Sequence, residues 1–305
     1  MDSIIPSPTP CHHPLWTGTV QVVQNCPVAE KTWRITLLAP EFLPLVRPGQ
    51  FIMLRLKDSV SPLLGRPFAV YAKEETTGQI DVIYLTVGKM TDRLAKIRQG
   101  EELELWGPLG NGWGLIEGDG ENVTEPVPSP TTVVDSGERP LPFDHLVMVA
   151  GGIGQTPFYM LSREYQRRSN PPKRTLLYGA RNKDRIPDLT EFCDAGVDLV
   201  LVTEDGSIGR KGIVTPLIGE AIDASGIAPE RTTILACGPH PMLAASFGEA
   251  KKRGIRCFTS LESPMSCGLG LCYGCVIEYL NEDGAIDYRR TCVDGPVFDA
   301  YRLVW

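Results

Sequence analysis

The sequence lacks the features that would place it in a membrane or on nucleic acid. Its 305 residues contain no apolar run of the roughly 18 residues that a bilayer crossing needs. The N-terminal stretch MDSIIPSPTPCHHPLW has neither a basic head nor a continuous apolar segment, so no export signal is expected. Lys and Arg number 30 against 37 Asp and Glu, and no basic run is arranged to neutralise a phosphate backbone, which argues against a nucleic-acid partner. A disulfide framework is missing as well. The cysteine count is nine, an odd number; four crowd between 267 and 292 and the other five are scattered, a distribution that suits metal ligation better than paired bridges. The expectation is a soluble protein of the reducing cytoplasm, with no membrane partner.

What is present divides the chain. A length of 305 residues exceeds most single hydrophobic cores, so several domains are expected. Residues 1–14 are Pro-rich and include Cys11, His12 and His13; two adjacent histidines cannot enforce a coordination geometry, and a disordered leader without assigned function is the reading. Residues 15–116 show short β-branched and aromatic runs, TGTVQVVQN, KTWRITLLA, GQFIMLRL, RPFAVYA, QIDVIYLTV and EELELWG, separated by Pro, Gly and charged turns, the texture of an antiparallel β-barrel or sandwich. A short helix is expected from Thr91, taken as its N-cap, with Leu94, Ala95 and Ile97 on its apolar side. Residues 117–143, rich in Pro, acidic and small polar residues, read as a surface loop insertion.

From 144 to 261 the period changes. The apolar strands HLVMVA, RTLLYGA, VDLVLVT, TTILACG and IRCFTSL alternate with helical stretches such as TPFYMLSREYQRR and HPMLAASFGEAKKR, which argues a doubly wound α/β domain whose ligands lie at the carboxyl ends of a parallel sheet. In VMVAGGIGQTPFYML, Gly151, Gly152 and Gly154 fall between strand and helix, where they allow a tight turn and close approach of a pyrophosphate to free helix amides; a plain connecting turn would look similar. A second turn, ACGPHPML, sets Cys237 and Gly238 at the same edge, beside a nicotinamide position, although a lone cysteine is more often a small buried hydrophobe.

In the N-terminal domain, GRPFAVY offers Arg66 for charge-assisted bonds to a phosphate, and VGKMTDRL offers amides at Gly88–Thr91 to complete a cradle. A surface arginine and an ordinary helix start would read the same way. The densest signal lies in residues 262–305. Within SCGLGLCYGC, Cys267, Cys272 and Cys275 are spaced C-x4-C-x2-C and Cys292 follows after sixteen residues, the plant-type spacing of a [2Fe–2S] cluster. Gly268, Gly270 and Gly274 let backbone N–H groups approach the sulfurs. Four thiolates also suit Zn, but zinc modules present two short cysteine pairs, whereas here three thiols share one loop.

The RPF turn, the glycine-to-threonine helix start, GGIG and CGPHPM together resemble the ferredoxin–NADP reductase superfamily. ESPMSCGLGLCYGCVI, TCVDGPVF and GPLGNGW narrow the resemblance to the electron-transfer subunits of type B dihydroorotate dehydrogenases, over about residues 15–300. The resemblance implies FAD against Arg66, Pro67, Phe68, Ala69, Ile83, Tyr84, Leu85, Gly88, Met90 and Thr91, a cluster on the four cysteines, and NAD at the glycine turns. It also implies an FMN-containing catalytic partner in a heterotetramer, which would supply electrons from dihydroorotate oxidation in pyrimidine biosynthesis. Flavin can exchange hydride on one side and single electrons on the other, so FAD belongs between nicotinamide and cluster, and no catalytic base is named. Ala69 stands where the family usually has serine, so a hydrogen bond to the ring there must come from backbone.

Two other readings compete. One is an NADPH-linked flavin and iron–sulfur subunit of sulfide-dehydrogenase or ferredoxin:NADP oxidoreductase complexes, supported by Arg210 and Lys211 in DGSIGRKG, a place for a 2′-phosphate. The other is a non-enzymatic, zinc-bearing binding module on a degenerate reductase fold, which need not keep the flavin turn, the phosphate glycines and the cysteine spacing together.

Overall fold

A computed structural model describes residues 15–117 and 141–305. The expected leader, and nearly all of the expected insertion, lie outside the described residues. The N-terminal half is built from β1 (Trp16–Ala29), β2 (Thr32–Leu38), β3 (Phe51–Leu56), β4 (Arg66–Ala69), β5 (Ala72–Glu74), β6 (Gln79–Leu85) and β7 (Glu102–Leu109), with helix α1 (Lys89–Leu94) between the last two. The seven strands form one curled antiparallel sheet in the order β4-β3-β7-β1-β2-β6-β5, whose edge strands β4 and β5 are not bonded to each other. Register shifts at Val22/Gln24 and Pro27/Ala29 bend the long β1, as bulges do, so that it can pair with both β2 and β7. Val20, Val22, Ile35, Leu37, Ile52, Leu54, Leu103 and Leu105 alternate inward to fill the core.

The helix after β6 differs from the sequence expectation. Gly88, not Thr91, caps α1, and Thr91 is the third residue of its first turn. Its Oγ1 reaches back to accept from the Val87 and Gly88 amides at 2.9 and 3.2 Å. Threonine therefore serves from inside the turn, the reciprocal half of a capping box, and leaves the exposed cap position to a residue without a side chain.

The second half contains β8 (His145–Gly151), α2 (Thr156–Gln166), β9 (Lys173–Ala180), α3 (Thr190–Asp194), β10 (Asp198–Thr203), β11 (Arg210–Lys211), α4 (Leu217–Ser225), β12 (Thr232–Cys237), α5 (His240–Arg253) and β13 (Arg256–Ser260). The hairpin β14 (Val276–Leu280) and β15 (Ile286–Arg290) and the short β16 (Val297–Asp299) follow. The sheet order is β11-β10-β9-β8-β12-β13-β16. β8 and β12 are buried along almost their whole length and carry the apolar runs 146–150 and 234–237, as central parallel strands covered on both faces must. β16, within the stretch read as a separate C-terminal unit, pairs antiparallel with β13 and closes this sheet's edge.

The halves are joined by specific contacts. Trp113 stacks on Phe158 at 5.3 Å and its Nε1 donates to the Pro157 carbonyl at 2.9 Å. Tyr71 stacks on Tyr159 at 4.7 Å. Arg34 holds Asp81 of its own sheet and Glu191 of α3 at once, with nitrogen–oxygen distances of 2.5 and 2.7 Å. The GPLGNGW stretch ties the barrel exit to the C-terminal unit: Asn111 Nδ2 donates to the Asp294 and Val297 carbonyls, and its Oδ1 accepts from the Val297 amide.

Candidate functional site

Three sites adjoin one another through shared residues. A cavity of about 560 Å³ opens where β4, β6 and the start of α1 face the second domain. Arg66, Pro67, Phe68, Ala69, Ile83, Tyr84, Leu85, Gly88, Met90 and Thr91 all lie on its wall. From the second domain, Ile153, Thr156 and Pro157 help complete this wall. Arg66 bonds only to the nearby Leu64 and Gly65 carbonyls, at 3.1 and 2.9 Å, and pairs with no carboxylate among the described residues. Its charge is thus available to an anion. Since Thr91 occupies the Val87 and Gly88 amides, phosphate bonds from this turn must come from the amides that follow, which a helix start leaves without internal partners.

The second cavity, about 790 Å³, sits at the carboxyl ends of β8, β9, β10 and β12. The strand order reverses between β8 and β12, so this is a topological switch point, where doubly wound sheets bind ligands. Gly151, Gly152 and Gly238 line it. The two turns touch: Gly238 has φ +148°, and a Cβ there would meet the Gly151 amide nitrogen at 3.0 Å. Gly154 lies beneath the wall instead, where an added Cβ would collide with the Cys237 carbonyl, so this glycine serves close packing of turn against turn. Cys237 faces the first cavity, not the second. Burial, with the neighbouring Glu262 carboxylate, pushes its thiol well above the usual range, and it stays protonated.

Arg210 and Lys211 are not on this wall. Arg210 is clamped by both carboxylate oxygens of Glu220, at 2.6 and 3.2 Å. The charged residues that do line the cavity are Arg181, Arg185, Glu204 and Glu262. Gln155, which sequence reasoning passed over, is 1 % exposed on the same wall, and neither atom of its amide has a partner among the described residues. A buried, unsatisfied amide at a cavity wall costs about 1–3 kcal/mol unless a ligand satisfies it. The cavity therefore fits a polar, amide-bearing ligand such as a nicotinamide nucleotide.

The four predicted cysteines come together in two pairs. Cys267 and Cys272 have sulfurs 3.4 Å apart and Cys275 and Cys292 3.2 Å apart, both too long for a disulfide. Two close thiol pairs are a donor set that could serve two metal ions, two thiols to each. The Leu269 amide donates to Cys267 Sγ at 3.3 Å and the Gly274 amide to Cys272 Sγ at 3.5 Å. Burial works against ionising Cys267, yet amide donors from Leu269, Cys272 and Leu271 lower it to about 7, so the loop is arranged for thiolate. Gly268 and Gly270 have φ of +72° and +76°, and a Cβ at Gly268 would strike Met53 Cγ at 2.7 Å, which explains why the loop can lie flat on the barrel. Trp106 Nε1 fastens it by donating to the Cys267 carbonyl at 3.0 Å. Thr291 bonds the Cys275 carbonyl through its amide at 3.0 Å, which brings Cys292 to the loop from the far end of the hairpin. Cys275 and Cys292 are buried, while Cys272 is exposed.

Comparisons with known proteins agree with this layout. Residues 262–304 match the family model described as the iron-sulfur cluster binding domain of dihydroorotate dehydrogenase B, residues 148–247 the oxidoreductase NAD-binding domain, and residues 23–113 the oxidoreductase FAD-binding domain. The chain is 31 % identical over 290 residues, 95 % of its length and 99 % of the relative's, to the electron transfer subunit of dihydroorotate dehydrogenase B (NAD(+)) from Caldanaerobacter subterraneus subsp. tengcongensis. The subunit of the same name from Bacillus caldolyticus is 32 % identical over 277 residues, 91 % of this chain and 94 % of that one. Among solved structures, an NADH-dependent reduced ferredoxin–NADP oxidoreductase, reported in a study of flavin-based electron bifurcation, shares the fold with TM-score 0.73 at 23 % identity, covering 94 % of this chain and 90 % of its own.

Proposed function

Because the chain belongs to the family of electron transfer subunits of dihydroorotate dehydrogenase B (NAD(+)), we propose that it receives electrons at the cysteine cluster and delivers them to NAD+ through FAD, with the three sites described above in those roles. Cys267, Cys272, Cys275 and Cys292 hold the [2Fe–2S] cluster, the cavity at Arg66–Ala69 holds the flavin, and the cavity at Gly151, Gly152 and Gly238 holds the nicotinamide. Bound flavin supplies the conversion between single electrons and hydride. The chain's own residues position the three groups.

The observation that carries this reading is continuity. Phe51 and Met265 line the flavin cavity and also belong to the apolar cluster that packs Cys275 and Cys292. On the other side, Leu85, Ile153, Leu261 and Glu262 line both the flavin and the nicotinamide cavities. The middle site therefore touches both of its neighbours, the order the electron path requires. The electron source is an FMN-containing subunit that oxidises dihydroorotate, in a heterotetramer, docked where Cys272 and the exposed Leu271 and Tyr273 bring the cluster to the surface. NAD is preferred to NADP, since Arg210 is spoken for by Glu220 and Glu204 on the wall repels a 2′-phosphate. No helix among the described residues is long and apolar enough to cross a membrane, and thiolate ligands favour a reducing compartment, so the cytoplasm is the proposed location.

Steady-state assays with each component separately and together test the division of labour. The isolated chain is expected to oxidise NADH with artificial acceptors and to show no dihydroorotate turnover, and the FMN-bearing subunit restores coupled NADH formation. Dihydroorotate oxidation by the chain alone, or failure of every mixture to couple, overturns it.

A further inference from the structure

A third cavity, of about 570 Å³, lies at the domain joint and shares no wall residue with the flavin or the nicotinamide cavity. Its walls come from the segment 40–47 between β2 and β3, from β5 and the turn after it, and from the middle and end of α2. That volume suits a small organic ligand. Nothing in the electron path uses it.

Its charge is lopsided. Arg47, Lys73, Arg163 and Arg167 line it against two carboxylates, Glu75 and Glu164. Arg163 and Arg167 stand one turn apart on α2 and its C-cap, so their guanidinium groups share a face. Arg163 reaches the Tyr159 hydroxyl, and neither arginine forms a salt bridge among the described residues. Lys73 enters from the barrel with its side chain 26 % exposed, whereas Glu75, its one salt-bridge partner among the described residues, stands 3.9 Å away and is 67 % exposed. Cations at a helix end commonly answer the helix dipole alone, but Arg47 and Lys73 belong to other segments, which no dipole recruits. The Lys73 and Arg167 charges both act on Glu164, so the two domains bring their cations to one place. Water reaches Glu164 through the cavity although protein crowds it; that burial, and then Glu117, raise its carboxyl above the ordinary carboxylate range, which lessens the negative charge opposing an anion there.

The rest of the wall is apolar. Leu43, Val46 and Met160 lie on it, and Met160 also packs into the barrel core. A ligand matched to this cavity carries several negative charges and an apolar ring, the chemistry of a nucleoside di- or triphosphate.

We propose that the cavity is a binding site for a nucleoside polyphosphate, with its phosphates on Arg47, Lys73, Arg163 and Arg167 and its base against Leu43, Val46 and Met160. The ligand bridges the two domains. Helix α2 begins with Thr156 and Pro157 on the flavin wall, and its Tyr159 stacks on Tyr71 of the barrel, so binding one or two turns further along braces the joint that sets flavin against nicotinamide.

The test uses the full, cofactor-loaded chain and UTP, which lacks the adenine common to FAD and NAD. Isothermal titration calorimetry is expected to show UTP binding that weakens with added salt, is unchanged by saturating NAD+, and is about tenfold tighter than binding of inorganic tripolyphosphate, which has no ring to bury. Arg163→Gln combined with Arg167→Gln should weaken UTP binding about 100-fold, tenfold for each charge-assisted bond lost, with flavin content, iron content and the rate of flavin bleaching by NADH unchanged. Glu164→Gln removes a repelling carboxylate and should tighten binding at least about threefold, a gain that a damaged fold does not give. Saturating UTP should raise the thermal midpoint of the natural chain and not that of the double variant. No binding up to about 10 mM UTP overturns the site, as does an unchanged affinity in the double variant or displacement of UTP by NAD+. Tripolyphosphate that binds as tightly as UTP overturns the placement of the base. If the double variant loses its flavin, Lys73→Met replaces it, with a loss of about tenfold expected and an unchanged affinity again overturning the site. None of these outcomes bears on the electron path, which bleaching by NADH tests separately.

Discussion

Replacing Arg66 by alanine tests the flavin site in a way that leaves the fold alone. The guanidinium makes only two hydrogen bonds, both to carbonyls within two residues of it, and has no carboxylate partner among the described residues. Its removal therefore strands no buried charge, and the exposed side chain contributes little packing. A charge-assisted hydrogen bond to a flavin phosphate is worth about 1.5–3 kcal/mol, and each 1.4 kcal/mol is a factor of ten. Arg66→Ala is then expected to weaken FAD binding about 10- to 150-fold, with thermal stability of the flavin-free chain unchanged. Arg66→Lys should fall between, because an ammonium keeps the charge without the planar fork. Titration of flavin-depleted protein, followed by quenching of flavin fluorescence, measures the affinity, and iron and acid-labile sulfide are assayed alongside. A dissociation constant within twofold of the natural chain's would refute the placement of the phosphates at Arg66, and loss of iron together with flavin would show that the residue acts on the fold.

Two further outcomes follow from the cysteine loop and the sheet. Cys272→Ser should lose iron and acid-labile sulfide while keeping most of its FAD, since Cys272 is the exposed ligand and does not line the flavin cavity; zinc in place of iron in anaerobically prepared natural protein would refute the cluster. His145 is fully buried at the start of β8, with Nδ1 unpartnered, and burial first, then Lys173, lowers its pKa to about 4 from an ordinary 6.5. The unfolded chain binds that proton more readily, so stability is full above pH 6.5 and falls as pH drops toward 4, by about 2 kcal/mol between pH 7 and pH 5. Urea unfolding of the natural chain and His145→Gln at both pH values checks this: the variant should lose that part of the acid sensitivity, and identical pH dependence in the two would refute it.

Several assignments were legible because their signals are local. A C-x4-C-x2-C loop with glycines between the thiols encodes its own turn geometry, and the structure brings those sulfurs into pairs with the distant Cys292. The glycine turns after β8 and β12 and the strand β4 are likewise short segments whose residue types limit what the backbone can do. Alternating burial and unbroken apolar runs separated the antiparallel sheet from the parallel one. The helix after β6 was misplaced by three residues because threonine can bond the same amides from the cap or from within the turn.

Other roles had no local mark. Gln155 looks like any polar residue at a helix start until burial leaves its amide without a partner. Gly154 belongs to the same glycine run as Gly151 and Gly152, and only the Cys237 carbonyl pressed against it assigns it to packing. Arg210 reads as a phosphate ligand until Glu220, ten residues on, takes both of its nitrogens. Asn111, Phe51 and Met265 join parts of the chain more than 180 residues apart in the first case and two functional sites in the others. The sequence by itself determined the local conformations and the chemistry of the donor sets, because both follow from neighbouring residue types. Which cavity a side chain faces, which charges neutralise each other, and that the flavin site touches both of its partners were decided by tertiary packing, because solvation and proximity are properties of what folds against a residue.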